Sequence, residues 1–237
     1  MPARVSISRS ARVRRSSAQT AGRALVRVTY PLDYLLCLPE DYSANRRTRW
    51  PLVVFLHGLG ERGPDLNAVK RHGLPRLAEA GMKFPFILVS PQCPADSWWN
   101  AAAIDAFVAT ICSQLRVDLD RVYLTGLSMG GYGTWTTACF NPARYAAIAP
   151  ICGGGEVRHA AQLRQVPVWA FHGAKDRVVR PARSQAMVKG VRDAGGSAKL
   201  TVFPRLEHNS WDPAYAKPEL LTWLLAQRRA RPSTARP

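Results

Sequence analysis

The chain has 237 residues, enough for one α/β domain with a sizeable core and no need of a second domain. Its net charge is +17, but eleven arginines lie in residues 1–27 and 228–237, which contain no Asp or Glu, and discounting these eleven charges leaves +6. Both ends are rich in Arg, Ser, Ala and Pro and lack apolar periodicity. We therefore expect disordered basic segments at 1–24 and 228–237 around a folded domain at 25–227.

The charge and the cysteines exclude several classes of protein. Because most of the charge is in the ends, we expect no specific nucleic-acid partner, and salt should abolish any non-specific contact. No stretch approaches the roughly twenty apolar residues of a transmembrane helix, and the N-terminus has no signal-peptide core, which predicts a cytoplasmic protein unless the true start differs. The five scattered cysteines show no metal-ligand spacing, which predicts no metal site, and they suit a reducing compartment. A contact between Cys93 and Cys152 stays open, as does the oligomeric state.

Apolar runs and helical stretches alternate along most of the chain. This alternation predicts an α/β fold with a mostly parallel sheet and helices on both faces, in which residues 25–38 form an antiparallel hairpin at the edge. The predicted strands are 25–30, 34–38, 52–57, 85–90, 121–125, 146–151, 167–172 and 198–203, and the predicted helices are 65–81, 102–116, 129–140, 181–194 and 213–228.

The most apolar strand leads into a glycine-rich segment, His57-Gly58-Leu59-Gly60-Glu61. Glycines here allow the backbone to turn its N–H groups inward. The N–H of Leu59, together with that of Met129, is therefore a candidate donor to a developing oxyanion. His57 itself is expected to be structural. Taken alone, the segment is equally an ordinary loop after a strand.

The next strand is followed by a loop with two neighbouring tryptophans, Trp98 and Trp99. The loop should lie at the carboxyl edge of the sheet, where exposed tryptophans are costly unless they have a function. With Trp211 they are predicted to line a wall for an acyl or sugar group, since indole combines an apolar face with a polar N–H. Packing of one or both in the core is the alternative.

Residues 126–130 read Gly-Leu-Ser-Met-Gly and directly follow the strand-like run at 121–125. This order places Ser128 on a sharp turn between a strand and a helix. The turn holds the serine in a strained backbone conformation, and a β-carbon at either glycine would collide with the neighbouring strand or helix. The pattern predicts a nucleophilic serine.

A serine nucleophile needs an orienting acid and a base, which in one recurrent chain order both follow the serine. Asp176 comes just after the apolar run 166–171, where a loop would deliver its carboxylate to the carboxyl edge, although it could also be a simple turn residue. Of the five histidines only His208 lies beyond it, and His172 is expected to cap a buried strand. The other acids after the serine fit less well; they are Glu156, Asp193, Glu207, Asp212 and Glu219.

His208 lies on a predicted loop between the last strand and the last helix. From there its ring can swing toward Ser128, take the hydroxyl proton and return it to the leaving group. Asp176 would fix the tautomer of the ring and stabilise the imidazolium. A surface histidine is the alternative interpretation.

Several stretches of the chain together resemble a known family. They are residues 55–63, 90–94, 98–99, 123–135, 150–155, 172–176 and 208–211, spread over most of 28–227. They are similar to small, lid-poor α/β-hydrolases of the phospholipase/carboxylesterase and dienelactone-hydrolase-like group, nearest to sequences called peptidases or polyhydroxybutyrate-depolymerase-like esterases. The resemblance implies a serine hydrolase with the triad Ser128, Asp176 and His208 and with the oxyanion donors Leu59 and Met129.

The spacing of the strands also bears on access to the site. Only about fifteen residues separate the strands ending near Ile151 and starting near Val166, where larger hydrolases insert a lid. A cap domain does not fit. The sequence therefore predicts an open site, suited to bulky or polymer-linked acyl groups.

Two classes of function follow from these patterns. The first is a cofactor-free serine esterase acting on small-molecule or polymer-linked esters, in which thioesters, amides and lactones compete with carboxylic esters as substrates. The second is a non-catalytic binding protein on a hydrolase scaffold. The intact triad favours the esterase.

Overall fold

The computed structural model describes residues 30–44 and 46–229, and the chain divides at Pro31, so that the α/β unit begins at Leu32. The predicted basic segment 1–24, residues 25–29 of the first predicted strand, and the predicted tail from residue 230 onward lie outside the described residues. The predicted tail begins at residue 228, and its first two residues are described and make ion pairs. Arg228 lies 3.6 Å from Asp118, and Arg229 lies 3.2 Å from Asp120, which also accepts the backbone N–H of Arg229 at 2.9 Å.

Within the described residues, seven strands form one sheet in the order β1-β3-β2-β4-β5-β6-β7. Neighbouring strands are parallel except β1 and β3, which pair antiparallel with Tyr34 opposite Pro91. The predicted mostly parallel α/β sheet is confirmed. The strands are β1 Tyr34–Cys37, β2 Trp50–Leu56, β3 Ile87–Pro91, β4 Val117–Leu127, β5 Ala147–Ile151, β6 Val168–Gly173 and β7 Ala198–Phe203.

The helices agree with the predicted ones except at two breaks. They are α1 Gly73–Glu79, α2 Ala101–Gln114, α3 Met129–Phe140, α4 Ala182–Asp193, α5 Trp211–Tyr215 and α6 Pro218–Ala226. The predicted helix 65–81 is instead a 3-10 helix, Leu66–Arg71, followed by α1, because Gly73 has a φ of +63°. The predicted helix 213–228 divides at Pro218, whose ring cannot continue a preceding helix. None of the helices in the described residues is long and apolar enough to cross a membrane.

Side chains of β2 show that helices cover both faces of the sheet. Leu52, Val54 and Leu56 pack in one apolar cluster with residues of α2, α3 and α4. The alternate residues, Val53 and Phe55, pack in a second cluster with residues of α1, α5 and α6. Successive side chains of a strand point to opposite faces, so a central parallel strand buried on both sides is apolar throughout.

The carboxyl ends of the parallel strands meet at one edge of the sheet, where ligands bind in open α/β folds. The loops after β2, β3, β4, β6 and β7 all begin at this edge and carry the residues predicted for the site. Between β5 and β6 the chain has only residues 152–167, including the short 3-10 helix Val157–Leu163. The predicted absence of a cap domain at this point of the described chain is confirmed.

Candidate active site

Ser128 occupies the sharp turn between β4 and α3. Its backbone has φ 53° and ψ −114°, a strained conformation for a residue with a side chain. A β-carbon on Gly126 would lie 2.5 Å from the carbonyl oxygen of Gly130, and one on Gly130 would lie 1.9 Å from that of Leu56. Glycine is therefore required at both positions, as predicted. The turn presents the serine hydroxyl beyond the end of β4.

The ring of His208 connects Ser128 with Asp176. Its Nε2 is 2.9 Å from Oγ of Ser128, and its Nδ1 is 2.7 Å from Oδ2 of Asp176. Because a carboxylate only accepts hydrogen bonds, the proton of the neutral ring lies on Nδ1, and Nε2 is free to accept from the serine hydroxyl. The structure thus brings the three predicted residues into one hydrogen-bonded line.

The Asp176 side chain is fully buried. Its Oδ1 accepts the backbone N–H groups of Val178 and Val179, both at 2.9 Å. These two bonds hold the loop after β6 around the carboxylate. Hydrogen bonds to the charged form are what a buried carboxylate requires.

His172 is a neighbour of the acid that sequence reasoning missed. It is buried near the end of β6, as expected, but its Nε2 also lies 3.2 Å from Oδ2 of Asp176 and 2.8 Å from the carbonyl oxygen of Val179. Its Nδ1 lies 2.8 Å from Oγ of Ser184 on α4. Burial lowers the pKa of His172. The available signal was its position four residues before Asp176, where the chain turns back at the strand end.

The loop after β2 is held by a buried carboxylate. Leu59–Glu61 form one turn of 3-10 helix, and the side chain of Glu61 accepts the N–H of Gly58 at 2.8 Å. The side-chain amide of Gln92 donates to the carbonyl oxygen of Glu61. Leu59 itself is half exposed. The N–H of Leu59 lies at the start of this 3-10 turn. The N–H of Met129 lies in the first turn of α3, where N–H donors have no acceptor within the helix.

His57 is structural, as expected. Its Nε2 accepts the N–H of Cys93 at 3.0 Å, so the ring proton lies on Nδ1 and donates to the carbonyl oxygen of Gly58 at 2.7 Å. Burial is the main cause that lowers its pKa to about 4. A neutral ring thus joins the loop after β2 to the loop after β3.

The three predicted tryptophans occupy different environments. Trp98 is 52% exposed and contacts the ring of Tyr132, one turn along α3 from Ser128, with 6.2 Å between centroids. Trp211 is half-buried, and its ring lies edge-on to that of His208 at 5.4 Å. Trp99, by contrast, is 5% exposed and donates its indole N–H to the carbonyl oxygen of His57 at 3.0 Å. Trp99 therefore supports the loop after β2 from within the core.

The cysteines contribute no thiolate to this edge. Cys152 is buried at the end of β5 with a positive φ of 40°, and burial raises its pKa to about 12. All five cysteines are free, so Cys93 and Cys152 form no disulfide. Among residues 30–44 and 46–229, no group of three or more His, Cys, Asp or Glu side chains is placed to hold a metal ion.

Comparison with known proteins relates this chain to esterases. Residues 97–215, half of the chain, match the Dienelactone hydrolase family. The chain is 29% identical over 173 residues to a bifunctional acetylxylan esterase/xylanase of Neocallimastix patriciarum, covering 68% of this chain and 24% of that protein. It is 28% identical over 159 residues to a probable feruloyl esterase C of Aspergillus flavus, covering 62% of this chain and 56% of that protein.

One solved structure extends the similarity over more of the chain. The crystal structure of a thermostable esterase superposes with a TM-score of 0.72 at 33% sequence identity, covering 84% of this chain and 60% of that one. The chain thus spans less than two thirds of the length of each of these three proteins.

Proposed function

The chain belongs to the dienelactone hydrolase family, and on that premise we propose that it is an esterase that hydrolyses carboxylic esters through an acyl-enzyme on Ser128. The observation that carries the proposal is the ring of His208, which lies 2.9 Å from the serine hydroxyl and 2.7 Å from the buried acid. A serine hydroxyl is a weak nucleophile unless an adjacent base removes its proton. The arrangement supplies the base and its orienting group.

In the first step, Oγ of Ser128 attacks the ester carbonyl carbon while Nε2 of His208 takes the hydroxyl proton. Asp176 stabilises the imidazolium that forms, through the bond at Nδ1. The carbonyl oxygen becomes an oxyanion, for which the N–H groups of Leu59 and Met129 are the proposed donors. Such donors typically contribute on the order of 100- to 1000-fold in rate. The imidazolium then protonates the departing alcohol.

In the second step, water replaces the alcohol. His208 removes a proton from the water, whose oxygen attacks the acyl carbon. The imidazolium then returns that proton to Oγ of Ser128 as the acyl–Oγ bond breaks, which releases the carboxylic acid and restores the serine hydroxyl. No metal or organic cofactor enters either step. The same residues therefore act in acylation and deacylation.

The surroundings of the triad support substrates with an accessible or polymer-linked acyl group. No lid is inserted between β5 and β6, and Trp98 presents an exposed aromatic face beside Tyr132, one turn along α3 from Ser128. The ring of Trp211 lies edge-on to that of His208. Aromatic side chains with exposed faces suit aryl and sugar groups. The relatives named as acetylxylan and feruloyl esterases point to acetyl and feruloyl esters of a polysaccharide.

The test is a panel of p-nitrophenyl acetate, butyrate and ferulate together with acetylated xylan, assayed beside Ser128→Ala. We expect turnover by the wild type and none above background by the variant, because Ala removes the nucleophile while leaving the fold. Thioester and anilide substrates in the same panel show whether the protein also cleaves thioesters or amides. A folded wild-type protein that cleaves none of these would contradict the proposal and favour a binding protein.

A further inference from the structure

The carboxylate of Asp176 has four N–H groups around it. Two backbone donors, Val178 and Val179, reach Oδ1 at 2.9 Å. Two histidine rings reach Oδ2, with Nδ1 of His208 at 2.7 Å and Nε2 of His172 at 3.2 Å. The side chain has no exposed surface. Because solvent does not reach it, the charge of this carboxylate depends on these donors.

The protonation of His172 follows from its partners. Both neighbours of Nε2, the carbonyl oxygen of Val179 and Oδ2 of Asp176, are acceptors, so Nε2 must carry a proton. At Nδ1 the neighbour is Oγ of Ser184, which also lies 2.8 Å from the carbonyl oxygen of Gly153, so its single proton is available to either acceptor. Burial lowers the pKa of His172 and favours the neutral ring. The ring is therefore a neutral donor shared between the loop backbone and the acid.

We propose that His172 is a positioning residue whose Nε2–H is the fourth donor to Asp176 and limits how strongly that carboxylate attracts the imidazolium of His208. The inference rests on the proposed esterase function. His172 and His208 share one oxygen, so each weakens the hold of that oxygen on the other. If the Nε2–H of His172 is removed, Asp176 should bind His208 more tightly and favour its protonated form.

Other ionisable groups near these residues do not duplicate this effect. The thiol of Cys152 stays neutral because burial raises its pKa to about 12. The charged side chains on adjoining segments are exposed to solvent, which screens them. They are Lys175 and Arg177 beside Asp176, Arg183 at the start of α4, and Glu207 beside His208.

The test compares two replacements that differ in the N–H. His172→Phe keeps a ring without a donor, whereas His172→Gln can place an amide N–H near the position of Nε2. Ser184→Ala is the matched control, because it removes the partner of Nδ1 without touching Asp176. The readout is the titration of His208 followed by NMR of its ring, together with kcat/KM for p-nitrophenyl acetate against pH.

In the Phe variant we expect the titration midpoint of His208 and the acid limb of kcat/KM to move to higher pH by about half a unit or more. The Gln and Ser184→Ala variants should stay near the wild type. If the Phe variant does not fold, His172→Asn, whose amide falls nearer Nδ1, takes its place with the same expectation. A folded variant without the Nε2–H donor that titrates like the wild type would overturn the proposal.

The NMR titration needs no turnover. A shift of the His208 midpoint in a protein without esterase activity would sink the proposed function and keep the inference about His172. If the wild type hydrolyses esters but the His208 midpoint does not shift in the variant, the proposed function stands and the inference about His172 is overturned.

Discussion

Gly130 lies against Leu56 so closely that a β-carbon on Gly130 would be 1.9 Å from the carbonyl oxygen of Leu56. The same β-carbon would be 2.7 Å from the carbonyl oxygen of His57. The start of α3 and the end of β2 therefore meet backbone to backbone. Since Ser128 precedes α3 and Leu59 follows β2, this contact joins the proposed nucleophile to the proposed oxyanion loop.

We expect Gly130→Ala to lower the free energy of unfolding by at least about 2 kcal/mol, because the added methyl group has to displace backbone rather than a flexible side chain. Esterase activity should fall with it, since the two halves of the site are forced apart. Urea unfolding gives the measurement. Gly60→Ala is the control for stability, because a β-carbon there meets no atom within 4 Å. Equal losses in the two variants would show that the close contact is not limiting.

Truncation of the two neighbouring tryptophans should affect different properties, stability for Trp99 and substrate binding for Trp98. Trp99→Ala is expected to cost about 3–5 kcal/mol of stability, because its buried ring would leave a cavity. Trp98→Ala should change stability by no more than about 0.5 kcal/mol, because its ring is largely exposed. It should instead raise KM for aryl esters more than for acetyl esters. Thermal unfolding and steady-state kinetics on both variants make the comparison, and a Trp98 variant with unchanged KM for every ester would remove this residue from the substrate wall.

Glu61 should affect kcat more than KM. Its carboxylate is buried and accepts the N–H of Gly58, the residue before Leu59. We expect Glu61→Ala to lower kcat about tenfold or more with KM within about twofold. The variant should misplace the proposed oxyanion donor, which stabilises the charge of the transition state and contributes little to binding of the uncharged substrate. Glu61→Gln keeps an acceptor oxygen and should lose less. A change confined to KM would assign the loop to substrate binding instead.

Stability should fall as the pH is lowered through the range in which His57 titrates. In the folded protein its pKa is lowered from 6.5 to about 4, so between these values the unfolded chain binds a proton that the folded protein does not. This contribution to stability is therefore present above pH 6.5 and is lost as the pH falls toward 4, where the loss levels off. Between pH 7 and 5 we expect a loss of about 2 kcal/mol from this residue.

Urea unfolding at pH 7 and pH 5 measures the effect. His57→Gln is less stable at pH 7, since it cannot reproduce both hydrogen bonds of the ring, but it should lose less on acidification than the wild type. His172, whose pKa is also lowered, adds in the same direction in both proteins. Equal losses in wild type and variant would mean that His57 is not kept neutral by burial.

The line of Ser128, His208 and Asp176 could be predicted because chain order and strand ends determine which loops meet at the carboxyl edge. The requirement for glycine at positions 126 and 130 could also be predicted, since a sharp turn between a strand and a helix has strict steric requirements. Periodicity also located the strands. Turn sterics and periodicity are local properties, which a short segment of sequence carries by itself.

What could not be predicted depends on how loops fold onto one another. The contact between His172 and Asp176 requires the turn after β6, which no periodicity encodes. Trp98 and Trp99 are neighbours in an irregular loop, so alternation gave no means of deciding which indole is buried. The break lies at Gly73, which has a φ of +63° and where a β-carbon would meet the ring of Phe55 at 2.4 Å. A distant contact of this kind is invisible in a local pattern.

The most direct test of the account is labelling with a fluorophosphonate, followed by mass spectrometry of the digested protein. We predict one adduct, on Ser128, formed at a rate that falls steeply in His208→Ala and absent in Ser128→Ala. Such a result would establish an activated serine independently of any choice of ester. A folded wild-type protein that takes up no label, or takes it up on another residue, would contradict the account.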